Sequence, residues 1–135
     1  MLYHVDLQNA TIGDPIPVCK TGAPGEWDTV GIEAPCVVKR HGLYFHWYSS
    51  WTDVDYYAGY LTATDIRGPW KKNPANPVIR ENESWIRPGH NNAFRGLDGK
   101  DYVIFHAESK LEDTRIERMF IRPIVYHPDG TVTIG

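Results

Sequence analysis

Residues 32–50, IEAPCVVKRHGLYFHWYSS, and residues 89–109, GHNNAFRGLDGKDYVIFHAES, follow one plan. Each has a polar head residue, a strand-forming run, a glycine turn and an aromatic-rich strand that ends in serine. Glu33 and His90 stand 57 positions apart, and so do Gly42 and Gly99. A repeat of this length, filled with about four short strands, has the pattern of a β-propeller blade.

Outward from these two stretches, helical periodicity is nearly absent. Short apolar or alternating runs recur between turn signals such as His41-Gly42, Arg67-Gly68-Pro69, Leu97-Asp98-Gly99 and Pro128-Asp129-Gly130. The pattern predicts strands over Tyr3 to Leu7, Ala34 to Arg40, Leu43 to Ser49, Tyr56 to Ala63, Asn92 to Gly96, Asp101 to Ala107 and Ile116 to Tyr126. Pro69, Pro74 and Pro77 interrupt the chain after the fourth of these. The expected fold is all-β, a partial propeller of about two and a half blades of four-stranded antiparallel sheets. Residues 1–31 hold leading strands, 32–87 the first full blade, and 88–135 the second blade and closing strands. An open arc leaves apolar blade faces and strand edges bare, so a second chain is expected to complete it. That chain is a homodimer partner or a complementary N-terminal half, two-fold pairing being the commonest arrangement of identical chains. A compact sandwich is the competing architecture.

Composition narrows the function. The 135 residues are 41% hydrophobic and 23% charged, ordinary for a globular domain, and the aromatic content of five Trp, eight Tyr and four Phe is high. Such rings fill β cores and also stack on sugar faces in clefts. Net charge is −3 and the pI about 6.0. The basic residues are interspersed with acids, which argues against nucleic acid as a partner. No apolar run approaches the ~20 residues of a membrane helix, and the start MLYHVDL lacks the basic and apolar regions of a signal peptide, so a cytoplasmic location is expected for the chain as written. Cys19 and Cys36 lack metal-site spacing and read as buried free thiols, a disulfide being the alternative.

Glu33 lies in Gly31-Ile32-Glu33-Ala34-Pro35, where Pro35 is expected to hold Ala34 extended and so fix how the carboxylate enters its strand. At the head of an inner strand, partial desolvation would raise a carboxyl pKa and suit it to protonate a leaving oxygen. A solvated strand-edge charge is the plainer reading. His90 reads as a turn or core histidine, Arg115 as a surface charge beside Glu112 and Asp113, and His106 as pocket wall or core. Trp47, Trp51, Tyr56 and Trp85 are candidates for sugar stacking or for packing.

The ordered motifs resemble family 43 glycoside hydrolases. Glu33-Ala34-Pro35 through Ser49, Tyr57-Ala58-Gly59-Tyr60, Arg67-Gly68-Pro69-Trp70 and Asn76-Pro77-Val78 are similar to the third blade of that family and the segment beyond it. Pro88-Gly89-His90-Asn91-Asn92, Asp98-Gly99, Tyr102 and His106-Ala107 are similar to the next blade, and Arg115, Met119 to Pro123 and Asp129-Gly130 to the last. The resemblance implies a five-bladed propeller of which this is the C-terminal half. It implies Glu33 as general acid, Arg115 reaching the glycone hydroxyls and His90 at the axis; His106, Trp47 and Trp51 are the further substrate-binding candidates. A hydrated calcium ion is expected there only if waters complete the shell. The implied activity is inverting hydrolysis of pentose-containing plant glycans, of the arabinofuranosidase or xylosidase type. Inversion needs a second carboxylate ~6.5–9.5 Å from the acid. The family takes its base and a pKa-setting aspartate from its first two blades, and 32 residues precede Glu33 here. Asp6, Asp14 and Asp28 read as turn residues or strand-end charges, so no base is assigned. A non-catalytic glycan-binding or assembly module is the alternative.

Overall fold

A computed structural model describes residues 1–111 and 116–135. The described chain is built of ten β-strands in three antiparallel sheets. Strands β1 (Val5–Asp6) and β2 (Thr11–Ile12) form a small hairpin. Strands β3 (Glu33–Arg40), β4 (Leu43–Trp51), β5 (Tyr56–Ala63) and β6 (Lys71–Lys72) form the first four-stranded sheet, in chain order. Strands β7 (Trp85–Arg95), β8 (Asp101–Ser109), β9 (Glu117–Tyr126) and β10 (Val132–Ile134) form the second, also a meander.

The turn residues account for the hairpins. His41 and Gly42 take φ of 50° and 79° between the paired residues Arg40 and Leu43, the two left-handed positions a tight two-residue hairpin requires. In the second sheet Gly99, at φ 78°, closes a longer β7–β8 loop, its N–H donating to the Gly96 carbonyl at 3.0 Å.

The two large sheets pack face to face through alternate residues of their inner strands. Phe45, Trp47, Ala58 and Tyr60 from the first sheet meet Ala93, Val103, Phe105, Ala107, Ile124 and Tyr126 from the second in one buried cluster. The Phe45 and Tyr126 rings meet edge to face at 4.7 Å. The Trp47 Nε1–H donates to the Tyr126 hydroxyl at 3.0 Å, so the indole's polar edge is satisfied inside the core. At one end of the interface Arg40 forms a two-point ion pair with Asp101, and this holds the Asp101 carboxyl down at about 2.

The outer faces of the two sheets differ. Residues Phe45 to Ser50 of β4 are all buried, because the segment ahead of β3 covers the far side of the first sheet. There Trp27 stacks on Tyr48 at 5.2 Å, and Asp28 accepts from the Tyr48 hydroxyl at 2.9 Å and from Lys72 Nζ at 2.5 Å. The far side of the second sheet is bare: Phe94, Met119, Ile121 and Val125 remain exposed.

Several expectations are corrected. Asp28 lies in a turn, as expected, but it is 1% exposed and ion-paired with Lys72 instead of solvated. Ala34 has φ 50° instead of an extended conformation. The clash with Pro35 disfavours the right-handed region but leaves the left-handed one, and a register shift between Glu33 and Cys36 uses it as a bulge. Met119 to Pro123 and Asp129-Gly130 do not start a separate blade; they lie in β9 and its turn to β10, in the sheet headed by β7. That sheet begins at Trp85, ahead of residue 88. The thiols of Cys19 and Cys36 are free but only half-buried; Cys36 Sγ–H donates to Asn92 Oδ1 at 3.2 Å.

Two outcomes follow from the packing. Trp47→Ala should cost about 3–5 kcal/mol in chemical denaturation, the penalty of emptying a closed aromatic site; a loss under 1 kcal/mol would contradict the seam described. His46 is 7% exposed with Nδ1 unpartnered, and burial, aided by the N-terminal charge, pulls its pKa from 6.5 to about 4. The fold therefore favours neutral imidazole: its contribution is complete above pH 6.5 and is lost as pH falls toward 4, reaching at most about 3 kcal/mol. Urea midpoints should drop across that window and flatten in His46→Phe.

Candidate active site

Antiparallel meanders return alternate strand ends to the same side of a sheet. The starts of β3, β5 and β9, the end of β8 and the bulged first half of β7 thus share one end of the molecule. Glu33 opens β3 and Tyr56 opens β5. The Tyr56 hydroxyl donates to Glu33 Oε1, and His90 Nδ1 lies 3.5 Å from the same oxygen. Burial first, and the Glu33 bond second, push the Tyr56 phenol far above the usual tyrosine value, so it stays a donor throughout the physiological range.

The approach of β7 depends on backbone detail. Register shifts flank Gly89 on both sides, and Arg87 and His90 take φ of 52° and 49°. A Cβ on Gly89 would fall within 3.0 Å of the Tyr56 ring, so glycine is what lets the two blades close here. Beneath the surface Ser49 Oγ–H donates to Asn91 Oδ1 at 2.7 Å and accepts from the Asn91 backbone N–H at 3.3 Å. This buried pair ties the end of β4 to β7 just below Glu33.

His106 completes the cluster. Its ring is 5.6 Å from Tyr56 and 6.1 Å from His90, and its Nδ1 is 3.5 Å from Glu117 Oε2. The side chains of Glu33 and His106 retain 39% and 36% of their surface. The cluster can therefore present a half-buried carboxyl, two imidazoles and a phenol to a ligand.

The sequence-derived candidates separate. Glu33, His90 and His106 converge. Trp51 stands beside them, half-buried, its ring edge-on to Tyr56 at 6.3 Å. Trp47 does not belong to the site: it is 0% exposed, with both ring faces in the core, and has no surface to offer a sugar. Trp85, 8% exposed, is core as well. Arg115 lies outside the described residues. Tyr56 proves to be the hydrogen-bond partner of the carboxyl, a role that its place at a strand start did not reveal. Glu117 went unrecognised because only the register of β8 on β9 brings it to His106.

Calcium prefers six to eight hard oxygens. Around His90 the structure gathers one carboxylate, one phenol and a second imidazole. This donor set does not fit a directly ligated calcium ion, and no chemistry is assigned to one.

The comparisons agree with the geometry. The model of glycosyl hydrolases family 43 matches residues 2–132. The chain is 32% identical over 85 residues to the beta-D-galactofuranosidase xynD of Aspergillus niger, covering 62% of this chain and 25% of that protein. It is 29% identical over 113 residues to the extracellular exo-alpha-(1->5)-L-arabinofuranosidase ArbA of Cellvibrio japonicus, covering 73% of this chain and 32% of the relative. Among solved structures, an endo-1,4-beta-xylanase from Bacteroides thetaiotaomicron superposes with TM-score 0.66 at 30% identity, over 77% of this chain and 37% of that one. A thermostable family-43 glycoside hydrolase superposes with TM-score 0.79 at 23% identity, over 96% and 45%. The chain thus spans about a quarter to a third of the two sequence relatives, and its two large sheets are blades of a partial propeller. It belongs to family 43 of the glycosyl hydrolases.

Proposed function

We propose that this chain carries the proton-donating side of an inverting glycosidase for pentose-containing plant glycans, of the arabinofuranosidase or xylosidase type, with Glu33 as the general acid. The observation that carries this reading is the treatment of one carboxyl oxygen. Tyr56 and His90 both address Oε1, which leaves Oε2 as the oxygen from which a proton passes to a departing alcohol. His106 and Trp51 line the approach; the glycone-contact role expected of Arg115 falls outside the described residues.

The base comes from outside these residues. Glu108 and Glu117, the carboxylates that β8 and β9 bring to this end, are already engaged by Arg87 and His106. The water-activating carboxylate is supplied by a second copy or by a complementary N-terminal half, which packs on Met119 and Ile121, the part of the bare side of the second sheet nearer Glu33, and leaves Val125 open. The same engagement of Glu108 and Glu117 favours, as the second reading, a module that binds glycans without cleaving them.

Glu33→Gln should slow hydrolysis of an alkyl arabinofuranoside by at least ~100-fold and of 4-nitrophenyl arabinofuranoside by clearly less, because nitrophenolate leaves without a proton. Equal losses on both substrates would exclude proton donation. Absence of turnover in the wild-type chain, with calorimetric binding of arabino-oligosaccharides retained, would instead support the glycan-binding reading. Sedimentation should give twice the 15.4 kDa chain mass, reverting to one chain in Ile121→Asp without loss of β signal. A wild-type monomer would remove the second copy and leave the complementary half.

A further inference from the structure

At the end of the blades away from Glu33, the two hairpins build a groove of about 550 Å³ between the sheets. Glu33 and Arg40 are the first and last residues of β3, so the groove is roughly 20 Å from the candidate acid at ~3.3 Å per strand residue. Lys39, Arg40 and His41 line it from the β3–β4 turn, Arg95, Lys100 and Asp101 from the β7–β8 hairpin, and Pro123 and Val125 from β9. Four permanent cations thus surround one carboxylate, a local excess of positive charge in a chain whose net charge is −3. In the sequence these residues are spread over 62 positions among acids; only the packing of the blades collects them.

The cations are ordered. Asp101 is 11% exposed and receives two-point contacts from Arg40, at 2.9 Å and 2.5 Å, and from Arg95, at 3.1 Å and 3.4 Å. Arg40 also donates through Nη1 to the Lys39 carbonyl at 2.7 Å and lies over the Tyr126 ring at 5.6 Å. Its guanidinium is thereby spoken for. Arg95 keeps 58% of its side chain exposed and meets Asp101 through Nε and Nη2, on the edge away from Nη1. Lys39 is held on the Tyr44 ring at 4.6 Å, and Lys100 is exposed at the rim. His41 Nε2 is 3.0 Å from the Tyr126 carbonyl, which closes the groove on one side. Asp98, the other acid of this hairpin, accepts from the Tyr102 hydroxyl at 2.7 Å and does not line the groove.

We propose that this groove is a second glycan-binding site, one that takes the carboxylate of a uronic acid residue on Arg95 and Lys100 while the sugar ring lies on Pro123 and Val125. A guanidinium edge matches a carboxylate in shape and charge. The exposed floor is aliphatic, suited to the C–H face of a pyranose. Single-stranded nucleic acid would need exposed rings on which to stack bases; Tyr126 is 5% exposed, and the other ring of the lining, His41, is held by its Nε2 at the Tyr126 carbonyl. The site rests on the membership of the chain in a glycan-hydrolysing family and is independent of the role given to Glu33. Its consequence is a preference for acidic, uronate-bearing glycans over neutral ones.

The test is titration of the 135-residue chain with tri-galacturonate at low salt, followed by amide NMR and calorimetry. The expected result is amide shifts over residues 95–100 and 124–126, with Glu33 and His90 unmoved, and binding that weakens with added salt. The double variant Arg95→Gln, Lys100→Gln should lose at least tenfold in affinity, whereas Glu33→Gln should bind as wild type. Both altered side chains are exposed and the Arg40–Asp101 pair survives, so the fold is retained. Shifts confined to the Glu33 end, undiminished binding by the double variant, or equally tight binding of a short single-stranded RNA at this groove would each overturn the proposal.

Discussion

The aromatic seam between the two blades is the constraint on which the rest of the molecule depends. Phe45, Trp47 and Tyr60 on one sheet interlock with Phe105, Ile124 and Tyr126 on the other. The hydrogen bond from Trp47 to Tyr126 sets both their separation and their registry. A buried indole N–H tolerates few positions, since leaving it unpaired costs free energy that no small shift recovers. With the seam set, the ends of the sheets have no freedom to slide. Glu33 and Tyr56 from one blade therefore meet His90 and His106 from the other at one end, and Arg40 meets Asp101 at the opposite end.

This arrangement separates two jobs along each strand. The middle of β4 and β8 supplies packing, and the strand ends gather the polar and charged side chains. Bulges mark the transition: β3 shifts register after Glu33, and β7 shifts on both sides of Gly89. A regular strand alternates its side chains strictly, so a residue that must leave the alternation and turn toward a neighbouring blade needs an extra residue in the ladder. The left-handed φ values of Ala34 and His90 are the local expression of that demand.

The two outer faces tell a complementary story. The first sheet is closed by its own upstream segment, through Trp27 and the buried Asp28–Lys72 pair. The second sheet ends in an apolar surface of a kind that a folded chain seldom leaves wet over such a span. Among the described residues the pair of blades is thus covered on one side and bare on the other.

The long strands β3, β4, β5, β8 and β9, the glycine turns, the 57-residue repeat and the candidacy of Glu33 were legible in the chain, because each is local: alternation, turn chemistry and a short ordered motif suffice to specify it; the short edge strands β2, β6 and β10 and the bulged first half of β7, which depend on their partners, were not. Which aromatics pack and which face a ligand was not legible. Trp47 and Trp51 lie on the same strand, four residues apart, and only the opposing sheet makes one of them core. The same holds for Asp28, a turn residue whose burial and ion pair come only from Tyr48 and Lys72, and for the basic groove, whose members are scattered among acids along the chain. Nor did the pre-proline rule foresee Ala34, since the pull of Glu33 toward Tyr56 and His90 comes from residues 23 and 57 positions away. Periodicity is a property of neighbours in sequence; burial, ion pairing and the assembly of a site belong to neighbours in space, which only packing of the two sheets creates.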